Sequence, residues 1–280
     1  MRVVKNSLRH RFGRASSTFM RSLSSTSVNP EEIRKFGAVG ADWWDKDSKK
    51  GTGPLHAMNP TRVEFIRTRA AAHLRRDKEG VLDQIRGVDV LDVGCGGGLL
   101  AESLARLGAN VVAIDPAEEN VQVARMHSEA DESTRGILYE NTTVEDMAAS
   151  GRSFDLVCSL EVIEHVENPL SFIESCAACL RPGGSLFLST LNRSPKSYLF
   201  AILGAEHITG MIPVGTHDWN KFITPTEMRK MVSSVASVEE MSGIVFTPEI
   251  RGASPSLMEK WKISATDLDV NYILHAVKNE

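Results

Sequence analysis

The nine residues Val90-Leu91-Asp92-Val93-Gly94-Cys95-Gly96-Gly97-Gly98 constrain this chain more than any other stretch. The first four read as a buried strand, and the residues from Leu99 to Leu107 read as a helix. Glycines between a strand and a helix let the backbone turn tightly and let a ligand approach it closely. The helix start adds unpaired amide donors and partial positive charge. That combination suits a phosphate and equally suits a carboxylate. Asp115 closes the next strand, Val111–Ile114, where a carboxylate can accept hydrogen bonds from both hydroxyls of a ribose. Gly96-x-Gly98-x-x-Ala101 also satisfies the loose dinucleotide pattern GxGxxG/A, so the loop alone leaves a nucleotide-binding dehydrogenase open.

Around this run, strands and helices alternate. Strands are expected at Val90–Val93, Val111–Ile114, Ile137–Tyr139, Phe154–Ser159 and Ser185–Thr190, with helices at Glu118–Glu129 and Pro169–Leu180. Further strands near Gly243–Phe246 and Asn271–Val277 bring the count to seven. Repeated β-α alternation predicts an α/β fold, Rossmann-like, with a mostly parallel sheet and helices on both faces. Thr224 caps a helix that runs to Val232, with Pro225 at its first position. Asn192–Phe222 breaks the rhythm and reads as an insertion. Ahead of the core, Pro30–Asp45 reads as a helix, Lys46–Asn59 as a loop, and a second helix starts near Pro60. These two helices form an N-terminal extension placed to cover the core as a lid.

The length of 280 residues allows one such domain, expected over residues 28–280. Residues 1–27 contain no acid, six Lys or Arg and many serines, the composition of a mitochondrial transit peptide, expected to be disordered; a plain basic tail is the alternative. Without those six charges the formal charge falls from -4 to -10, which argues against nucleic acid as a partner. No stretch approaches the roughly 18–20 apolar residues of a membrane-spanning helix. Cys176-Ala-Ala-Cys179 lies in an apolar helical pattern with no second pair, so it reads as structural rather than as zinc or redox chemistry.

Asp92-x-Gly94-x-Gly96-x-Gly98, with the downstream Cys179-Leu-Arg-Pro-Gly-Gly184 before a strand, resembles the class I S-adenosyl-L-methionine-dependent methyltransferases. Further segments resemble one subfamily, the ubiquinone-biosynthesis O-methyltransferases. They are Trp43-Trp44-Asp45, Pro54-Leu55-His56-x-x-Asn59-Pro60-x-Arg62, Leu160–His165 with Asn168-Pro169, and Gly215-Thr-His217-x-Trp219. The likeness runs from Glu31 to the C-terminus. It implies S-adenosyl-L-methionine at Arg62, Gly94, Gly96, Asp115 and Leu160, with Glu145-Asp146 near the adenine. It implies methylation of catechol hydroxyls on 3,4-dihydroxy-5-polyprenylbenzoate and on demethylubiquinol. A multi-protein complex peripheral to the matrix side of the mitochondrial inner membrane is also implied.

Glu161, Glu164 and His165 would share one face of a helix if that segment were helical. Two carboxylates and an imidazole can bind a divalent cation, and the resemblance implies magnesium there, with zinc open. A polar helix start is the alternative reading. His165 is also a candidate general base for the phenol, a role hard to combine with ligating a metal. The apolar residues of the insertion, from Tyr198 to Ile212, suit either a bilayer surface or packing over a substrate pocket. A methyltransferase for another small phenol and a non-catalytic cofactor-binding scaffold are the competing functions.

Overall fold

The computed structural model describes residues 26–46, 52–74, 80, 84–208, 213, 215–251 and 256–279. The leader expected over residues 1–27 lies outside them except for Thr26 and Ser27.

An eight-stranded sheet organises the chain. The strands are β1 (Asp89–Val93), β2 (Asn110–Asp115), β3 (Leu138–Asn141), β4 (Phe154–Leu160), β5 (Leu180–Leu191), β6 (Ala236–Arg251), β7 (Ser256–Ser264) and β8 (Asn271–Lys278). Their order across the sheet is β3-β2-β1-β4-β5-β8-β6-β7. β1 to β5 run parallel, and β8, β6 and β7 pair antiparallel on the far side. The order reverses at β1, whose neighbours β2 and β4 lead away in opposite directions. Ligands of open α/β sheets bind in the crevice at such a point, beyond the strands' C-terminal ends.

Neighbouring residues of β1 serve opposite layers, as period-2 geometry requires. Val90 joins a core with Phe65, Ile66, Leu104 and Val121, while Leu91 and Val93 join one with Phe172, Ile173 and Met228. The first layer holds α2 (Thr52–His73), α3 (Leu99–Arg106) and α4 (Glu118–Ser128). The second holds α5 (Val144–Ala149), α6 (Pro169–Ala178) and α8 (Pro225–Val232). Thr224 caps α8 in a reciprocal capping box with Glu227, as the Thr-Pro start predicts.

Three expectations change. The helix predicted over Pro30–Asp45 is broken: α1 (Pro30–Gly37) ends, and a 3-10 turn runs from Gly40 to Trp44, because Gly40 takes a left-handed φ of 56°. The loop predicted over Lys46–Asn59 is shorter, since α2 already starts at Thr52 and carries Pro60 inside it. A proline there forfeits one helical hydrogen bond, but Leu55 and Met58 pack into the core and hold the preceding turns. An eighth strand, β7, lines the edge; its Lys-rich, alternating sequence reads weakly alone and is ordered by pairing with β6. In the insertion, α7 (Pro195–Ser197) leads into a π-helix over Tyr198–Ile208, while Met211 and Ile212 fall outside the described residues.

Candidate active site

The glycine turn leaves β1 with Gly94 and Cys95 both donating their amides to the Ile114 carbonyl, at 2.9 and 3.0 Å. Gly94 has φ 73°, and a Cβ there would lie 2.6 Å from a Val162 methyl. Gly96 has φ 53°, and a Cβ there would run into the Trp43 ring. The turn therefore needs glycine both for its torsions and for what packs on it.

Asp115 is anchored at the end of β2. Its Oδ2 accepts from the Gly96 amide at 2.9 Å, and its Oδ1 accepts from the Ala117 amide at 2.9 Å and Asn120 Nδ2 at 3.1 Å. Burial pushes its pKa up, against the pull of these three donors. Asn120 Oδ1 in turn accepts from Trp43 Nε1 at 2.8 Å, and Trp44 Nε1 donates to the Gly97 carbonyl at 2.9 Å. The 3-10 turn thus lies over the glycine loop as a roof.

Beneath the roof, Arg62 and Asp92 are both buried. Arg62 Nη2 donates to Asn59 Oδ1 at 3.2 Å, but its Nε and the Oδ2 of Asp92 have no hydrogen-bond partner. Desolvation, opposed by Arg62, raises Asp92 to about 7, and desolvation lowers Arg62. A buried cation and a buried carboxyl with unused hydrogen-bonding capacity suit the carboxylate and ammonium of an amino acid. Both line one cleft with Gly94, Gly96, Asp115 and Leu160, so the five expected cofactor residues converge. Glu145 lines it too, its Oε1 accepting from the Ser27 amide at 3.0 Å and its Oε2 unpartnered. Asp146 is exposed and hydrogen-bonded to Thr143, so only the first of that acidic pair faces the cleft.

The loop after β4 brings Glu161, Val162 and His165 to the same cleft, with Val162 against Gly94. The helix face expected for Glu161, Glu164 and His165 does not form. Glu161 takes a left-handed φ of 60°, and a 3-10 turn covers only Ile163–His165. Glu161 Oε1 accepts from the Ser189 hydroxyl and Oε2 from Asn271 Nδ2 at 3.0 Å. Glu164 is buried with Oε2 unpartnered; desolvation and then the charge of Glu161 raise it to about 8. His165 Nδ1 lies 3.0 Å from Glu32 Oε2 on α1, and its ring meets Phe36 edge-on at 4.8 Å. Among the described residues, no group of three His, Cys, Asp or Glu is arranged to hold a metal ion. The expected metal set of Glu161, Glu164 and His165 is therefore not assembled: both Glu161 oxygens are taken, Glu164 is buried outside the cleft lining, and His165 turns to Glu32.

Sequence reasoning missed Asn120, Glu32 and the roof role of Trp43. Trp43 carried a signal in the Trp-Trp-Asp motif. Asn120 and Glu32 carried none, since their partners are distant in the chain.

The glycine turn, the strand-end acid and the buried Arg62–Asp92 pair, set against this sheet order, define a class I S-adenosyl-L-methionine-dependent methyltransferase. Residues 56–235 match the methyltransferase-domain family. Among solved structures, the putative methyltransferase complexed with the Haloferax volcanii Trm112 activator superposes with a TM-score of 0.57 at 19% identity, over 88% of this chain and 98% of that one. The magnesium protoporphyrin IX methyltransferase from Synechocystis with bound SAM gives 0.54 at 16%, over 91% and 100%. The ubiquinone biosynthesis O-methyltransferase of Roseobacter denitrificans is 46% identical over 254 residues, 90% of this chain and 97% of that protein. The mitochondrial enzyme of that name from Arabidopsis thaliana is 41% identical over 269 residues, 96% and 80%. The chain belongs to the ubiquinone biosynthesis O-methyltransferase family.

Proposed function

We propose that the chain transfers methyl groups from S-adenosyl-L-methionine to catechol hydroxyls of polyprenylated rings, 3,4-dihydroxy-5-polyprenylbenzoate and demethylubiquinol. One observation carries this reading: the buried Arg62–Asp92 pair, with an unpartnered nitrogen and oxygen, lines the same cleft as Glu161, Val162 and His165. A methyl donor held by the first set would therefore meet an acceptor held beside the second.

Bound there, S-adenosyl-L-methionine would supply an electrophilic sulfonium methyl for the phenolic oxygen, its sulfur keeping the electron pair of the carbon–sulfur bond. Arg62 and Asp92 would hold its amino-acid end, Asp115 the ribose and Glu145 the adenine edge. Trp43 and Trp44 exclude water above the glycine turn. The task is chiefly one of alignment. A phenol has a pKa of about 10 and must also lose its proton, which His165, on the cleft wall, would accept. A divalent cation, magnesium or alternatively zinc, would be held by Glu161 and Glu164 and would supply charge that lowers that pKa.

The leader composition and the mitochondrial relative support a mitochondrial location. No helix among the described residues is long and apolar enough to cross a membrane. Tyr198, Leu199, Phe200 and Leu203 are exposed on the insertion and support peripheral contact with the inner membrane on the matrix side, where the polyprenyl substrates reside. Work within a multi-protein ubiquinone-synthesis complex is part of the same proposal. The decisive experiment is methyl transfer to a short-chain prenyl dihydroxybenzoate, with saturating cofactor and magnesium. Turnover supports the reading; none under those conditions supports another phenolic substrate or a scaffold.

A further inference from the structure

α1 stands outside the β-α core, yet it is fastened to the site along its length. Asn29 caps its start and also donates from Nδ2 to Glu167, next to the 3-10 turn that carries His165. At its other end Lys35 Nζ donates to the carbonyls of Gly215, at 3.0 Å, and Thr216. Between these ties Glu32 points its Oε2 at His165 Nδ1. The pair joins residues 133 positions apart in the chain. Both residues line the cleft.

We propose that Glu32 is a positioning residue for the methyl-transfer site: its carboxylate accepts the Nδ1 proton of His165, selecting the tautomer whose unprotonated Nε2 is left for the cleft. The chemistry of the two groups carries the assignment. An ionised carboxylate only accepts hydrogen bonds, so at 3.0 Å the imidazole nitrogen facing it must bear the hydrogen. A neutral imidazole with Nδ1–H has its lone pair on Nε2, and the partner of one nitrogen decides the state of the other. The edge contact with Phe36, one turn along α1, restricts the ring's rotation. The N-terminal extension is therefore part of the catalytic apparatus as well as a cover. This inference rests on the proposed role of His165, but the tautomer it assigns is measurable independently.

The test uses the full chain with 15N-labelled histidine, its His165 signals identified by their absence in His165→Gln. In the wild type, the expected pattern is Nδ1 protonated and Nε2 bare. In Glu32→Ala, the Nε2–H tautomer should grow in and kcat should fall about tenfold, as for loss of other orienting partners, with the cofactor KM within about twofold. Glu32→Gln keeps an acceptor oxygen and should recover part of the rate. An unchanged tautomer in Glu32→Ala would overturn the proposal. So would a rise in cofactor KM alone, which marks α1 as a mere lid strut. If His165→Gln were fully active, the role proposed for His165 would fail, while the tautomer measurement would still decide what Glu32 does.

Discussion

Trp43 donates its indole hydrogen to Asn120 at 2.8 Å, and through Asn120 it reaches Asp115, the acid proposed to hold a ribose. The roof of the cofactor site and its floor are thus one hydrogen-bonded unit, built from the N-terminal extension and α4. The same indole lies against the glycine turn, so the cofactor loop and its cover are mutually shaped.

Gly96→Ala would strain a φ of 53° and push the new methyl into Trp43. Cofactor affinity should drop on the order of 100-fold, read by titration calorimetry with S-adenosylhomocysteine. Pairing it with Trp43→Ala should restore part of the loss, because the collision goes while the torsional cost of about 1–2 kcal/mol stays. No recovery in the double variant would show that Trp43 is not the obstacle.

Arg62→Met removes the buried cation beside Asp92 while keeping the stem volume. Hydrogen bonds to charged groups contribute about 1.5–3 kcal/mol, so cofactor binding should weaken roughly 10- to 100-fold. Kinetics should show the loss in the cofactor KM. An unchanged KM would remove Arg62 from the site.

Glu164 is pushed up to about 8, so at neutral pH its cation-free carboxyl is mostly protonated. Glu164→Gln mimics that form and should leave the melting temperature within a few degrees. It should nonetheless weaken magnesium binding in calorimetry and lower the turnover about tenfold or more. Full activity of the wild type in excess chelator would sink the cation reading.

Phe200 is 58% exposed and Leu199 54%. Replacing both with Ser should reduce co-sedimentation with anionic liposomes while leaving turnover of a soluble short-chain substrate near the wild-type value. Each buried leucine- or phenylalanine-sized side chain contributes about 1.5–3 kcal/mol, so the partition coefficient should fall more than tenfold. Equal sedimentation of both proteins would count against membrane contact.

His275 is 5% exposed, stacked on Phe187 and 3.0 Å from the Ser185 hydroxyl. Desolvation, then the charge of His73, depresses it to about 4. The unfolded chain binds this proton near pH 6.5 and the folded chain does not, so stability is lost as pH falls from about 6.5 to about 4. The contribution is on the order of 3 kcal/mol. Urea unfolding of His275→Phe should show a flatter decline across that window than the wild type; identical slopes would refute the assignment.

Much of the fold was readable because its signals are local. The strands of the parallel half are short apolar runs, the helix starts carry caps such as Thr224-Pro225, and the glycine turn announces its own torsions. The misplaced boundaries have a shared cause. Pro60 reads locally as a helix start, yet Leu55 and Met58 find core partners that extend α2 back to Thr52. β7 takes its order from the strand beside it.

The sequence by itself determined which residues gather at the proposed cofactor end of the site. Gly94, Gly96, Asp115 and Leu160 sit at strand ends that the β-α rhythm places along one edge, and Arg62 was marked by its motif. Only the tertiary structure decided the acceptor end. Glu161, Glu164 and His165 are close in sequence, and their spacing suggested a helix face. A left-handed residue after β4 instead turns Glu161 to Ser189 and Asn271 and His165 to Glu32, partners from three other parts of the chain, and leaves Glu164 buried. Spacing constrains groups only while the backbone between them is regular. Where it turns, their orientation is set by long-range hydrogen bonds, which local pattern does not encode.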